Sequence, residues 1–369
     1  MTDTGAGVCR LTFGSSNATS QLRISQADGA GTAMALGMQA PTQLATDSLP
    51  GRTLGVFGAS DGLYAWMAGR SSTSMNDAKL AASVACSSST ADPFRLTGPT
   101  ARLDPRVNAY RPDLADIALS HCVLAPHYAR PLLRGCGSRA AFVRAAADPD
   151  SAPVTELLPG EDFFVLEYAG GWAWGYCAAD RTVGYVEAIA LADPTAATHI
   201  VCEKSAPVMP DSRVTAPLLA SLPMGARLQG EECGACLATE YGCVSLAHLR
   251  RIDEHDEDPV VVAERLIGAP YLAGGRSYHG IDAAGFVQLA LGLTGFAAPR
   301  FADQQRGLGE AVAATARARR GDLVLFDGGG GLMVDDLMMI HASRAVGKVT
   351  VEPLAVLDRA GMTRRRLPL

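Results

Sequence analysis

Two hydrophobic patterns divide the chain. Between about residues 120 and 252, short apolar runs are punctuated by Gly, Pro and Asp, the spacing of small all-β units. Gly170-Gly-Trp-Ala-Trp-Gly-Tyr176 alternates aromatic and small residues with a period of two, which predicts a strand. The pattern repeats. Pro149-Asp-Ser151, Leu158-Pro-Gly160 and the run Gly184–Leu191 return as Pro210-Asp-Ser212, Leu222-Pro-Met-Gly225 and Gly242–Leu249, at offsets of 61, 64 and 58 residues. After the charged linker Arg250–Pro259 the period becomes helical. Asp258 with Pro259 predicts a capped helix start, continuing through Val260–Ile267 and stopping at Gly268. A second apolar helix is expected from near Ala284 to Gly295, burying Phe286, Val287, Leu289 and Leu293.

Residues 1–100 are different. They hold 12 charged residues, 25 Ser or Thr and no Glu; the first Glu of the chain is Glu156. Clusters at 71–74 and 87–90 read as loops or weakly ordered chain. Gly55, Gly58 and Gly62, after a strand-like run, suit either a phosphate-cradling turn or a bare glycine loop; no ribose-binding acid or β-α-β unit supports the former.

The 369 residues carry a net charge of −6, which argues against a nucleic-acid partner held by phosphate neutralisation. No run of 18 apolar residues occurs, so no membrane-spanning helix is expected. The amino terminus lacks a basic and apolar leader, so cytoplasmic residence is expected, with organellar import a minor alternative. Nine cysteines, an odd count in a large chain, suggest reduced thiols rather than a disulfide framework. Cys233 and Cys236 form a C-x-x-C with Cys243 beyond, but His248 is the only nearby fourth ligand and the segment falls where a hairpin is expected. No metal and no cofactor is therefore assigned.

The strongest chemistry lies in residues 253–369. In order come Gly268-Ala-Pro-Tyr-Leu-Ala-Gly-Gly-Arg-Ser277, Gly280-Ile-Asp-Ala-Ala-Gly-Phe-Val-Gln288, Ala298-Pro-Arg300, Ala302-Asp-Gln-Gln305, Arg320-Gly-Asp-Leu-Val-Leu-Phe326 and Ile340-His-Ala342. Over about 110 residues this resembles the NlpC/P60 family of papain-like cysteine peptidases. The Gly170–Tyr176 strand and the closing Gly184-Tyr-Val186 resemble a bacterial SH3 (SH3b) module, and the second copy does so without the Trp pair. The resemblance implies an α+β fold, with SH3b-like barrels over 120–195 and 196–252 and a papain-like domain over 253–369; it begins after about residue 120 and leaves 1–119 as an extension of unknown fold.

It also implies a site. A cysteine at the first turn of the second helix would gain from the helix dipole, which favours its thiolate. A histidine on the following sheet would take the proton, and a further polar group would orient that histidine. This chain departs from that pattern. Ala283 stands at the nucleophile position, Ala284 follows where Ser is usual, Gly329 stands at the base position, and only the orienting position is kept, as His341. Ala273 replaces a usual aromatic. These changes together fit natural divergence better than one engineered substitution. A methyl group cannot attack a carbonyl and a glycine cannot move a proton, so thiol catalysis through these positions is excluded.

Tyr271, Arg276, Asp282 and His341 fall at positions that line the family's groove, and Trp172 and Trp174 add a further candidate contact. Each has a structural alternative. Tyr271 equally fits a core position, Asp282 a helix cap, Arg276 a surface ion pair, His341 a buried imidazole, and the two Trp a barrel core and domain contact. Two functional readings follow. One is a pseudoenzyme that binds peptide, with a cell-wall muropeptide as its ligand. The other is a structural subunit with a protein partner on residues 1–100. A peptidase with a displaced site is the catalytic alternative.

Overall fold

A computed structural model describes residues 8–11, 42–49, 52–59, 62–69, 98–211, 217–313, 315–357 and 361–368. The chain separates into two compact units, Met1–Thr100 with Val123–His127, and Ala101–Cys122 with Tyr128–Leu369.

In the first unit, β1 (Val8–Leu11), β2 (Thr42–Leu49), β3 (Arg52–Ala59) and β4 (Gly62–Gly69) form an antiparallel sheet in the order β1-β4-β3-β2. Gly55 and Gly58 lie inside β3, opposite Trp66 and Leu63 of β4, and Gly62 opens β4. Both readings of this stretch as a loop are thus corrected: the glycines sit in a sheet ladder, which spends their backbone groups on neighbouring strands. The Ser/Thr clusters at 71–74 and 87–90 lie outside the described residues.

The second unit opens with a seven-stranded sheet. Its strands are β5 (Leu132–Cys136), β6 (Ala141–Arg144), β7 (Pro153–Leu157), β8 (Asp162–Ala169), β9 (Trp172–Cys177), β10 (Val183–Glu187) and β11 (Leu191–Ala192), ordered β7-β6-β10-β9-β8-β5-β11. Gly170 and Gly171, with φ of 58° and 83°, make the two-residue turn between Ala169 and Trp172, whose positive φ values match the twist of an antiparallel hairpin. Phe163, Val165, Ala173, Cys177 and Val186 point inward to one core.

The outward residues are also covered. Trp174 and Tyr176 pack in a second layer with Leu166, Ala109 and Leu114, so residues 101–119 lie over this sheet as a strap. A bulge between Val165 and Glu167 turns Leu166 into that layer. Trp174 therefore lies beneath the strap rather than in the barrel core, which corrects the core reading of this residue: period-two alternation gives a face, not which face is inside.

A second β unit follows. Its strands are β12 (His199–Val201), β13 (Ser205–Met209), β14 (Ala220–Pro223), β15 (Arg227–Leu228), β16 (Glu231–Cys233), β17 (Cys236–Thr239), β18 (Gly242–Ser245) and β19 (Leu249–Arg251). They form sheets β15-β12-β19 and β14-β13-β18-β17-β16 around Val201, Ala206, Val208, Leu222, Leu237 and Val244. The C-x-x-C is the expected hairpin, with Cys233 paired across from Cys236.

In the carboxy-terminal part, α1 (Pro259–Arg265) starts as expected, with Asp258 Oδ1 accepting from the Val260 amide at 2.8 Å. Helix α2 (Ala283–Gly292) packs against a six-stranded sheet of β20 (Glu310–Val312), β21 (Leu323–Phe326), β22 (Gly329–Met333), β23 (Met338–Ser343), β24 (Lys348–Pro353) and β25 (Thr363–Arg366), ordered β20-β25-β21-β22-β23-β24. Phe286, Val287 and Leu291 of α2 share a core with Leu323, Leu325, Leu332, Ile340 and Ala342. The opposite sheet face carries Val324, Phe326, Met333 and Met339 in a smaller cluster. A short helix, α3 (Ala302–Gln305), follows the Pro299-Arg300 step.

Candidate functional site

Asp282 is the N-cap of α2. Its Oδ1 accepts from the Gly285 amide at 2.7 Å, and its Oδ2 from the Gly274 amide at 2.9 Å. Arg300 closes the carboxylate as a fork, Nη1 to Oδ1 at 3.0 Å and Nη2 to Oδ2 at 2.6 Å. Four donors thus converge on one carboxylate, filling most of its acceptor capacity. Arg300 in turn donates from Nε to Thr155 Oγ1 at 3.0 Å, so the cap is tied to β7.

Arg276 is buried, not a surface ion pair. Its amide donates to Glu156 Oε2 at 2.8 Å, while its guanidinium reaches Glu161 at 2.9 and 3.1 Å and the Glu156 carbonyl at 3.0 Å. Ser277 Oγ donates to the other Glu156 oxygen at 3.1 Å. Burial disfavours the Arg276 cation, and the Glu161 carboxylate outweighs it, so its pKa is raised. Burial pushes Glu156 above the ordinary carboxylate range, against the Arg276 amide and the Ser277 hydroxyl. These groups join the first β unit to the segment that leads into α2. They are separated by 115 to 121 residues in sequence, which is why local spacing missed Thr155, Glu156 and Glu161. The Pro-Arg step at 299–300 was the one visible signal for Arg300.

Tyr271 is half-buried against the α2 core, and burial, then the Asp282 charge, raise its pKa. Gln305 supports the helix start by donating to the carbonyls of Ala284 and Pro299, both at 2.9 Å. Ala283 itself is buried, and its methyl is the first side chain of α2.

The sheet side is arranged otherwise. Gly329 pairs with Phe326, and Gly331 with His341. A Cβ added at Gly329 would meet the Phe326 ring at 2.2 Å, so that ring fills the space a side chain there would need. His341 packs edge-on to Phe326, with centroids 6.5 Å apart, and its Nε2 is 2.8 Å from Glu352 Oε2. Its neighbours Ile340 and Ala342 belong to the α2 core, so alternation turns His341 to the opposite face. Gly329 and His341 thus share the Phe326 face, while Tyr271, Arg276 and Asp282 gather at the start of α2.

The tryptophans form a third location. Arg111 lies over Trp174, 4.4 Å from its ring centroid, and pairs with Glu167 and with Asp113 at 2.8 Å. Trp174, Arg106, Arg111, Tyr110, Tyr185 and Phe301 line a cavity of about 560 Å³. Trp172 is half-buried in the neighbouring position. The six predicted binding residues therefore occupy three surroundings.

Residues 268–363 match the NlpC/P60 family, and residues 143–191 match the bacterial dipeptidyl-peptidase SH3 domain. The chain thus carries an NlpC/P60 domain preceded by a bacterial SH3 domain. Among individual proteins, it is similar to the peptidoglycan endopeptidase RipB of Mycobacterium tuberculosis, 36% identical over 114 residues, covering 26% of this chain and 46% of that protein. It therefore spans about half the length of that relative. Dipeptidyl-peptidase 6 of Lysinibacillus sphaericus is 26% identical over 237 residues, 56% of this chain and 87% of that one. The crystal structure of an NlpC/P60 family protein from Bacillus cereus superposes with a TM-score of 0.54 at 18% identity, covering 64% of this chain and 99% of that one, a likeness of fold.

Proposed function

We propose that this chain binds a peptide of the cell-wall stem type through its NlpC/P60 domain and does not cleave it, and that residues 196–252 are a second SH3b-like module beside the first. The observation that carries this reading is Ala283 at the first position of α2, where a nucleophile would need a thiol or hydroxyl. The Phe326 ring against Gly329 supports it, because the place of a base is filled by an apolar ring. The relatives named for peptidoglycan or dipeptide cleavage supply the ligand class. Calorimetric titration with a muropeptide, followed by mass analysis of the mixture, tests it. Saturable binding with intact peptide is expected; absence of heat at millimolar ligand, or clear turnover, overturns it.

A second reading, a structural or assembly subunit, is favoured by the engagement of Asp282 and Arg276 by protein partners. Co-purification from native expression separates the two: a chain that always elutes alone counts against assembly.

A further inference from the structure

Three buried cysteines contrast with three on an open sheet face. Cys136, Cys177 and Cys202 are buried, and burial raises the pKa of each, that of Cys136 to about 12. Such thiols stay protonated and inert at neutral pH. Cys233, Cys236 and Cys243 lie on the second β unit, Cys233 exposed and the other two half-buried. Register puts them on one face. Cys233 is paired across from Cys236, Cys236 from Ser245, and Cys243 from Ala238. The alternate residues Leu237 and Val244 oppose each other and belong to the core. Side chains of a strand alternate between faces, so the three cysteines point away from that core.

Two of the three are in bridging position. Directly opposed residues of an antiparallel ladder have Cα atoms about 4.5–5.5 Å apart, and a disulfide spans about 4.4–6.8 Å. Cys233 and Cys236 meet that condition. Cys243 is a diagonal neighbour of Cys236, about 7–8 Å away, which a disulfide does not reach without backbone movement. The two-residue turn Gly234-Ala235 holds the pair in place. Gly234 has a φ of 62°, the left-handed value a tight hairpin uses, and the Ala235 carbonyl accepts from the Leu246 amide at 2.9 Å. The pair closes the tip of β16, the edge strand of its sheet. Glu232 of the same strand reaches Arg251 at 2.8 Å and His199 at 3.3 Å, so β16 also ties the two sheets of this unit together.

We propose that Cys233 and Cys236 are a redox-modification site, which a low-molecular-weight disulfide oxidises to a reversible cross-strand bridge that locks the tip of β16. The exposed Cys233 thiolate attacks one sulfur of the oxidant, whose S–S bond breaks and whose first half leaves as a thiol. Cys236 then attacks the Cys233 sulfur of the mixed disulfide and expels the second half. One S–S bond is exchanged for another. The two cysteine protons end on the two released thiols, and the chain gives up two electrons to the oxidant. An exposed bridge is reduced again more readily than a buried structural one. The site uses no residue of α2 and stands whether or not that region takes a ligand.

The test equilibrates the full chain with 2-hydroxyethyl disulfide, caps remaining thiols with N-ethylmaleimide in denaturant, and maps the tryptic peptide Leu228–Arg250 by tandem mass spectrometry. The expected peptide is two hydrogens lighter and carries a Cys233–Cys236 bond, with Cys243 outside it. Dithiothreitol before capping should restore three alkylated thiols. C236S should keep half of the oxidant attached at Cys233, and C243S should bridge as the parent does. Should either variant misfold, the linkage map of the unmutated chain decides alone. Alkylated thiols at both Cys233 and Cys236 after oxidation, stable mixed disulfides on both, or a bond to Cys243 in place of the pair would each overturn the proposal.

Discussion

The start of α2 and the glycine-rich sheet of the same domain hold their polar groups in opposite ways. At the helix, half-buried Asp282 is held by buried Arg300, and Arg300 and Arg276 bond across the junction to Thr155, Glu156 and Glu161. On the sheet, Gly328–Gly331 present no side chains, and Phe326 occupies the room at Gly329. The difference teaches that two neighbouring surfaces of one domain can be held rigid by unlike means. One side is a joint, where charges compensate each other, and the other is apolar packing.

The sharpest way to break this contrast is at the joint. Arg276→Ala leaves Glu161 buried without its cation and is expected to cost about 3–5 kcal/mol, read from the denaturant midpoint. A loss below about 1 kcal/mol would make the ion cluster a bystander. On the sheet, Gly329→His must displace the Phe326 ring and is expected to cost about 1–3 kcal/mol of thermal stability, partly recovered when Phe326→Ala is added. A freely tolerated histidine would mean the base position is open. Glu352→Gln weakens the bond to His341, and the expected loss is about 1 kcal/mol, since Glu352 is a quarter exposed.

The smallest effect is a pH difference at the joint. Glu156 has a raised pKa in the fold, so the folded chain holds its proton more tightly than the unfolded chain does. The stability from that group is full below its ordinary 4.5 and is lost as pH rises through the folded value. Glu156→Gln cannot titrate. The melting temperature of the variant relative to the parent is therefore expected to rise as pH increases from 4.5 toward neutral. A constant difference would place Glu156 in an ordinary environment.

Much of this was legible along the chain wherever a local rule decides the structure. The Asp258–Pro259 start of α1, the α2 run with Phe286 and Val287 inward, the hairpin at Cys233 and Cys236, and the capping role of Asp282 all follow from near neighbours. What could not be read depends on distant partners. Arg276 has no sequence neighbour to announce Glu161, and Trp174 gives no sign that Ala109 and Leu114 will cover it. The strap over residues 101–119 falls with the extension in the sequence because the family resemblance begins only near residue 120, while its packing comes from the sheet beneath. Gly55 and Gly58 were misleading for the reverse reason: glycine permits a tight turn but does not require one.

The most direct test is incubation of the native chain with an L-alanyl-γ-D-glutamyl stem peptide, followed by mass spectrometry. With a methyl group at the start of α2, the expected result is bound peptide of unchanged mass and no cleavage above the protein-free control. Product that accumulates in proportion to protein concentration would contradict the loss of peptidase chemistry at this site.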